Sequence, residues 1–282
     1  MTINAQANRY QLLACDLDGT LVGHDTIVPE DVQRVVAAVM AKGIHVTLAT
    51  GRGFAATLPF ANALNITEPI ICYQGGLIKH PLTGDLLFRA TMPRNLVLSV
   101  LDLAHLLHWH VVLYFDDEIY LEEYRRSERF YRDLLGPDIH RVDDLTRVVR
   151  EHRSDPAKFL FVGEEAEADV IFSELSDRYG DRMHVVRSHT LFVEGNPLGV
   201  NKGDALRRLS EHLDVPQHKV MAIGDQGNDI AMLSWAGLGV AMGSGSDATQ
   251  AAADWIAPPL SAGGAVIAIE RFLLQSEGGG AA

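Results

Sequence analysis

One segment constrains the fold more than any other. The apolar run Tyr10-Gln11-Leu12-Leu13-Ala14-Cys15 passes straight into Asp16-Leu17-Asp18-Gly19-Thr20. A run of this kind reads as a buried strand of a parallel sheet, which needs cover on both faces. Two carboxylates emerge where that strand ends. Side chains at i and i+2 of an extended segment share a face, so Asp16 and Asp18 are expected to converge on one site. Gly19 lets the backbone turn sharply and leaves bare N–H groups beside the carboxylates. Two anions held close repel each other unless a cation or a shared proton offsets them, and hard oxygen ligands suit Mg²⁺.

Three further segments repeat the theme of chemistry at the end of a strand. Ile44-His45-Val46-Thr47-Leu48-Ala49 reads as a second buried strand and ends in Thr50-Gly51-Arg52. Lys202 stands at the start of the helical pattern 202–213, after Leu191-Phe192-Val193-Glu194. Lys219-Val220-Met221-Ala222-Ile223 reads as a strand and ends in Gly224-Asp225-Gln226-Gly227-Asn228-Asp229. The i, i+3, i+4 spacing of Asp225, Asn228 and Asp229 puts them on one face of a first helical turn. Gly51-Arg52-Gly53-Phe54-Ala55-Ala56 matches the dinucleotide fingerprint by letter. The following strand, 69–74, brings no acidic residue for a ribose hydroxyl, so these glycines read as the opening of helix 54–64, whose N-terminus favours an anion.

Taken together, the four segments resemble the haloacid dehalogenase superfamily of phosphatases, and most closely its Cof-type branch with a large α/β cap. The first motif, Asp-x-Asp-x-Thr, and the fourth, Gly-Asp-x-x-Asn-Asp, are complete. The resemblance implies that Asp16 attacks phosphorus in line, and that Asp18 protonates the leaving alkoxide and then activates water. It implies that Thr50, Gly51 and Lys202 hold the phosphate. It further implies a Mg²⁺ held by Asp16, the Asp18 backbone carbonyl and Asp225, with Asn228 and Asp229 supporting that shell. One departure stands out: Ser244 and Gly245 occupy positions where the branch often reads Asn-Ala after Met-Gly.

Composition narrows the function classes. A formal charge of −13 argues against broad nucleic-acid binding, which needs a basic face. A phosphate substrate must then be drawn in locally. The two cysteines, Cys15 and Cys72, fall in strands read as buried, which points to a reducing, cytoplasmic setting. No apolar run is long enough to span a membrane, residues 1–8 lack a secretory apolar region, and residues 277–282 read as a frayed tail.

Strand and helix patterns alternate from Tyr10 to about Gly76, with Val32, Val35, Val36, Val39 and Met40 marking a helix that Gly43 stops. This predicts an α/β fold: a Rossmann-like, doubly wound parallel sheet core, with sites at the carboxyl ends of its strands. Far more chain lies between Thr50 and Lys202 than one crossover needs. Residues 1–83 and 189–282 are assigned to the core and 84–188 to an inserted α/β cap that sets substrate specificity. A hairpin across 81–85 leads out of the core. In the cap, helices are expected at 95–108, with a stripe of Leu96, Val100, Leu103 and Leu107, and at 125–135 and 166–179. Strands are expected at 111–115, 119–121, 159–162 and 183–186. In the core, helices are expected at 202–213, 228–236 and 264–274.

Other residues carry weaker signals. His105, His108 and His110 surround Trp109 without Cys or carboxylate company, which reads as a helix end rather than a zinc site. Arg125, Arg126, Arg129 and Arg132 form a basic stretch broken by Ser127, Glu128 and Asp133, which reads as a solvated helix face, with binding of an anionic substrate as the alternative. Tyr114 and Tyr120 suit either the core or a substrate face. The resulting expectation is a phosphatase for small phosphate monoesters, such as sugar phosphates or phosphorylated cofactors. A sugar phosphomutase and a non-catalytic phosphate-binding protein are the alternatives. The sequence leaves oligomeric state open.

Overall fold

The computed structural model describes residues 9–23, 27–115, 118–135 and 138–275. Residues 1–8, 116–117 and 277–282 lie outside the described residues. The chain forms two compact units: 1–51 with 57–87 and 201–282, and 52–56 with 88–200.

The first unit is built on a five-stranded parallel sheet. Its strand order is Trp255–Ala257, Leu238–Met242, Val220–Gly224, Leu12–Cys15, His45–Leu48. The central strands Leu12–Cys15 and Val220–Gly224 are apolar and buried at every position, because helices cover a parallel sheet on both faces. Helix Glu30–Ala41 buries Val32, Val35, Val36 and Val39 at helical spacing. It ends where Gly43 adopts φ +74. The order reverses between the neighbouring strands Leu12–Cys15 and Val220–Gly224: one leads outward through His45–Leu48, the other through Leu238–Met242. That switch point is where such sheets leave a crevice for ligands. The outer strands Leu238–Met242 and Trp255–Ala257 escape a reading by pattern, since one carries Gly239 and the other has only 3 residues. A second sheet, Ile70–Cys72, Leu77–Lys79 and Leu86–Arg89, contains the anticipated hairpin.

The second unit carries a six-stranded sheet: Met183–His189, Phe192–Pro197, Lys158–Val162, Val111–Phe115, Glu118–Leu121, Ile139–Arg141. Its pairings are antiparallel apart from the last. Phe159, Phe161, Leu113 and Phe115 share a core with Val97, Leu101, Leu145, Ile171 and Leu175 of helices Arg94–Leu106, Leu145–Glu151 and Glu165–Tyr179. Leu107 lies past the end of its helix and is exposed, so Val97, Leu101 and Ala104 complete the buried stripe instead. Strand Ile139–Arg141 and the Asp144-capped helix Leu145–Glu151 are too short to show a period in sequence. The helix expected over 125–135 starts at Glu128.

The unit boundaries differ from the expected cuts at 83/84 and 188/189. Strand Phe192–Pro197, read as the return to the core, pairs with both Met183–His189 and Lys158–Val162. Its backbone hydrogen bonds are therefore met inside the six-stranded sheet, and the first unit resumes only at Asn201.

Candidate active site

Asp16 follows the last residue of its strand, and its N–H donates to Ile223 O at 2.9 Å. That bond sets it beside Gly224-Asp225 on the neighbouring strand. Asp18 takes a different course from the one strand alternation predicts. The strand stops at Cys15, and the Leu17 carbonyl then accepts from Thr20, Leu21 and Val22 N–H groups. In this turn Asp16 is buried and Asp18 exposed.

Asp16, Asp225 and Asp229 each bring a carboxylate oxygen within 4.8 Å of the others, and all three are buried. Among the described residues this is the only group of three or more metal-ligating side chains so gathered. Asp18 is not in it, so the third carboxylate comes from Asp229. Lys202, at the first position of helix Lys202–His212 and with no exposed surface, places Nζ 2.8 Å from Asp16 Oδ1 and 2.6 Å from Asp229 Oδ1. The helix start is held by Asn201, whose Oδ1 accepts from Asp204 N–H at 2.8 Å.

Asp229 is fully engaged. Its Oδ2 accepts from the N–H groups of Asp225 and Gln226 at 2.9 and 3.0 Å, which closes the loop around Asp225. The turn Gly227–Asp229 is a 3₁₀ turn, and the helix proper begins at Ile230. Asp225 accepts from Gln226 Nε2 at 3.0 Å and from Thr20 Oγ1 at 3.4 Å. Gly19 lies against this carboxylate at φ +84, and a Cβ there would land on it.

One ammonium among three buried carboxylates leaves an excess of negative charge. Burial pushes the Asp16 carboxyl well above its usual range; Lys202 opposes this and Asp229 and Asp225 add to it. Burial likewise raises Asp225. Burial alone would lower Lys202, but the two carboxylates hold its ammonium above the ordinary lysine value. A hard divalent cation fits this donor set, in which Lys202 takes one oxygen of Asp16 and the Asp225 carboxylate accepts from a side-chain amide and, at longer range, a hydroxyl.

Thr50 and Gly51 follow strand His45–Leu48, joined to the Asp16 strand through Ala49 N–H to Cys15 O at 2.8 Å. Thr50 is buried. Asn228 Nδ2 donates to Gln74 Oε1 at 2.8 Å. Sequence reasoning missed Gln74. Its signal was the pair Gly75-Gly76 directly after a strand, which marks a turn needing unusual backbone angles.

In the second unit, His105, His108 and His110 line a cavity of about 360 Å³ with Glu122, Arg125 and Arg141. His105 Nε2 meets Glu122 at 3.1 Å, and His110 Nε2 meets the Tyr131 hydroxyl at 2.8 Å. Arg125, Arg126 and Arg132 pair with Glu123, Glu164 and Glu128, which spends their charge locally. Tyr114 is buried under Lys158, and Tyr120 stacks on His140.

A profile of the family described as haloacid dehalogenase-like hydrolase matches residues 13–269. The chain is 28% identical over 245 residues to a 5-amino-6-(5-phospho-D-ribitylamino)uracil phosphatase of Bacillus subtilis, covering 85% of this chain and 88% of the relative. It is 30% identical over 242 residues to an HMP-PP phosphatase of Serratia proteamaculans, covering 83% and 84%. Among solved structures, a haloacid dehalogenase-like hydrolase from Bacteroides thetaiotaomicron superposes with a TM-score of 0.84 at 29% identity, covering 93% of this chain and 99% of that one.

Proposed function

The chain belongs to the haloacid dehalogenase-like hydrolase family, and from that premise we propose that it is a Mg²⁺-dependent phosphatase of small phosphate monoesters, working through an aspartyl phosphate on Asp16. The observation that carries the reading is the buried set Asp16–Lys202–Asp229–Asp225 at the switch point of a parallel sheet.

Asp16 would attack phosphorus in line, forming the acyl phosphate while the ester P–O bond breaks. Asp18, exposed on the turn after the nucleophile, would give its proton to the departing alkoxide and then take one from the water that cleaves the acyl phosphate. Lys202 orients Asp16 through its 2.8 Å contact and adds positive charge where the phosphoryl oxygens gather it. The Thr50 hydroxyl and Gly51 N–H would hold those oxygens. Asp16 and Asp225, with the Asp18 carbonyl, would hold the Mg²⁺, while Asp229 and Asn228 brace the loop. Bound there, the cation supplies charge that keeps Asp16 and Asp225 ionised and offsets the phosphate.

The names of the relatives, a 5-amino-6-(5-phospho-D-ribitylamino)uracil phosphatase and an HMP-PP phosphatase, support small phosphorylated compounds as the substrate class, with sugar phosphates and phosphorylated cofactors as the candidates. The second unit, whose sheet and helices form a core of their own, is assigned the choice of leaving group. No helix among the described residues is long and apolar enough to cross a membrane. The buried cysteines Cys15 and Cys72, neither of them in a disulfide, support a reducing, cytoplasmic setting. The test is a phosphate-release screen over sugar phosphates, nucleotides and phosphorylated cofactors with Mg²⁺ present. Release of inorganic phosphate is expected; an isomerised ester in its place would mean a mutase, and no turnover on any compound would reject the reading.

A further inference from the structure

We propose that Gln74 is a phosphate-binding residue of this site: its side-chain amide, anchored on Asn228, donates from Nε2 to a phosphoryl oxygen held at Thr50-Gly51. This rests on the phosphatase reading above and adds to it a residue outside the four motifs.

The backbone is the first observation. Tyr73, Gln74 and Gly75 take φ angles of +51, +58 and +100 in succession. Two consecutive residues with side chains in the left-handed region cost free energy that a turn of ordinary purpose avoids, and such strain collects at ligand sites. The turn is held by Gln74 N–H to Thr50 O at 3.1 Å and Gly76 N–H to Tyr73 O at 2.9 Å. Gln74 is thereby tied to the residue expected to bind phosphate.

The side chain is the second. Gln74 is 8% exposed, and its Oε1 accepts from Asn228 Nδ2 at 2.8 Å. That bond turns Nε2 the other way, onto Gly51, where a Cβ would land on it. A side chain at position 51 would have to move that amide aside. Nε2 has no acceptor among the described residues. Across the same amide pair, Asn228 Oδ1 is buried with no donor. Buried polar atoms are nearly always paired. The Gln74 amide donor beside Thr50-Gly51 is placed to meet an acceptor that arrives with the substrate.

Two variants separate these roles. Gln74→Glu keeps an oxygen for Asn228 Nδ2 but replaces the donor with an anion; Gln74→Asn keeps the amide on a shorter arm. With an aryl phosphate and Mg²⁺, Gln74→Glu is expected to lower kcat/KM by about a hundredfold and weaken inhibition by inorganic phosphate at least about tenfold, the span of a hydrogen bond to a charged group. Its melting temperature should stay near that of the parent. Gln74→Asn should fall between the two. Parental kinetics and phosphate inhibition in Gln74→Glu would overturn the proposal and leave the amide a brace. Should that variant not fold, unchanged phosphate inhibition in Gln74→Asn does the same. If the parent protein turns over no phosphate ester, the phosphatase reading fails by itself. Calorimetric titration of parent and variants with inorganic phosphate then still decides the role of Gln74: equal affinity rejects it.

Discussion

The Lys202 ammonium lies 2.8 Å from Asp16 Oδ1, across 186 residues of chain, with no exposed surface on the lysine. Two strands and a helix start must be correctly assembled for that contact to exist. It leaves Asp225 and Asp229 to share the same small volume with a single cation, and several predictions rest on that imbalance.

Lys202→Met should unbalance the site further, because Asp16 and Asp229 would stay buried without their partner. Removing one member of a buried ion pair costs about 3–5 kcal/mol. Urea unfolding in EDTA should show a loss of that order, together with loss of phosphate release. Equal stability of variant and parent would mean the ammonium does not carry the charge balance.

Asp16→Asn acts in the opposite sense on folding. Lys202 keeps its 2.6 Å contact with Asp229, and one of the crowded carboxylates is neutralised. The fold should persist with a melting temperature near the parent's, while phosphate release falls by several decades, as expected when a nucleophile is removed. Near-parental turnover by pure, Mg²⁺-loaded Asp16→Asn would reject the nucleophile.

Metal linkage can be read without any substrate. Mg²⁺ at about a hundredfold over its Kd should stabilise the parent by about 2.7 kcal/mol, and EDTA should abolish both this gain and phosphate release. Asp225→Asn removes a carboxylate from the donor set. Gly19→Ala pushes a Cβ onto the Asp225 carboxylate at a backbone angle of φ +84. Both should lose the Mg²⁺-dependent rise in melting temperature. A full rise in either would move the cation elsewhere.

His110 supplies a pH test in the second unit. Burial, with Arg125 adding, pushes its imidazole from the ordinary 6.5 down to about 4. The unfolded chain therefore binds the extra proton first. Stability is full above about pH 6.5 and falls as pH drops towards 4, by about 2 kcal/mol at about pH 5. His110→Gln should flatten that part of the profile in urea unfolding; an unchanged slope would place the titrating group elsewhere.

The candidate site residues Asp16, Thr50, Lys202 and Asp225 could be picked out from residue order, because each stands at or just past the end of a strand or at the start of a helix. Such ends announce themselves by an apolar run that stops. Asp18 shows the limit of that logic. The i, i+2 rule assumed an extended backbone, yet three N–H groups bond the Leu17 carbonyl and turn the chain. Strand Phe192–Pro197 shows another limit: its apolar and acidic letters suit either sheet, and only its pairing with Met183–His189 and Lys158–Val162 assigns it.

By itself the sequence determined the alternation of strand and helix, the parallel core and the identity of the charged groups, since hydrophobic period and turn chemistry act over a few residues. Only the tertiary structure decided which carboxylate joins Asp16 and Asp225, that Lys202 is shared between Asp16 and Asp229, and that Gln74 leans on Gly51. Those are contacts between segments tens to hundreds of residues apart. They are set by strand order and close packing, and no local pattern encodes them.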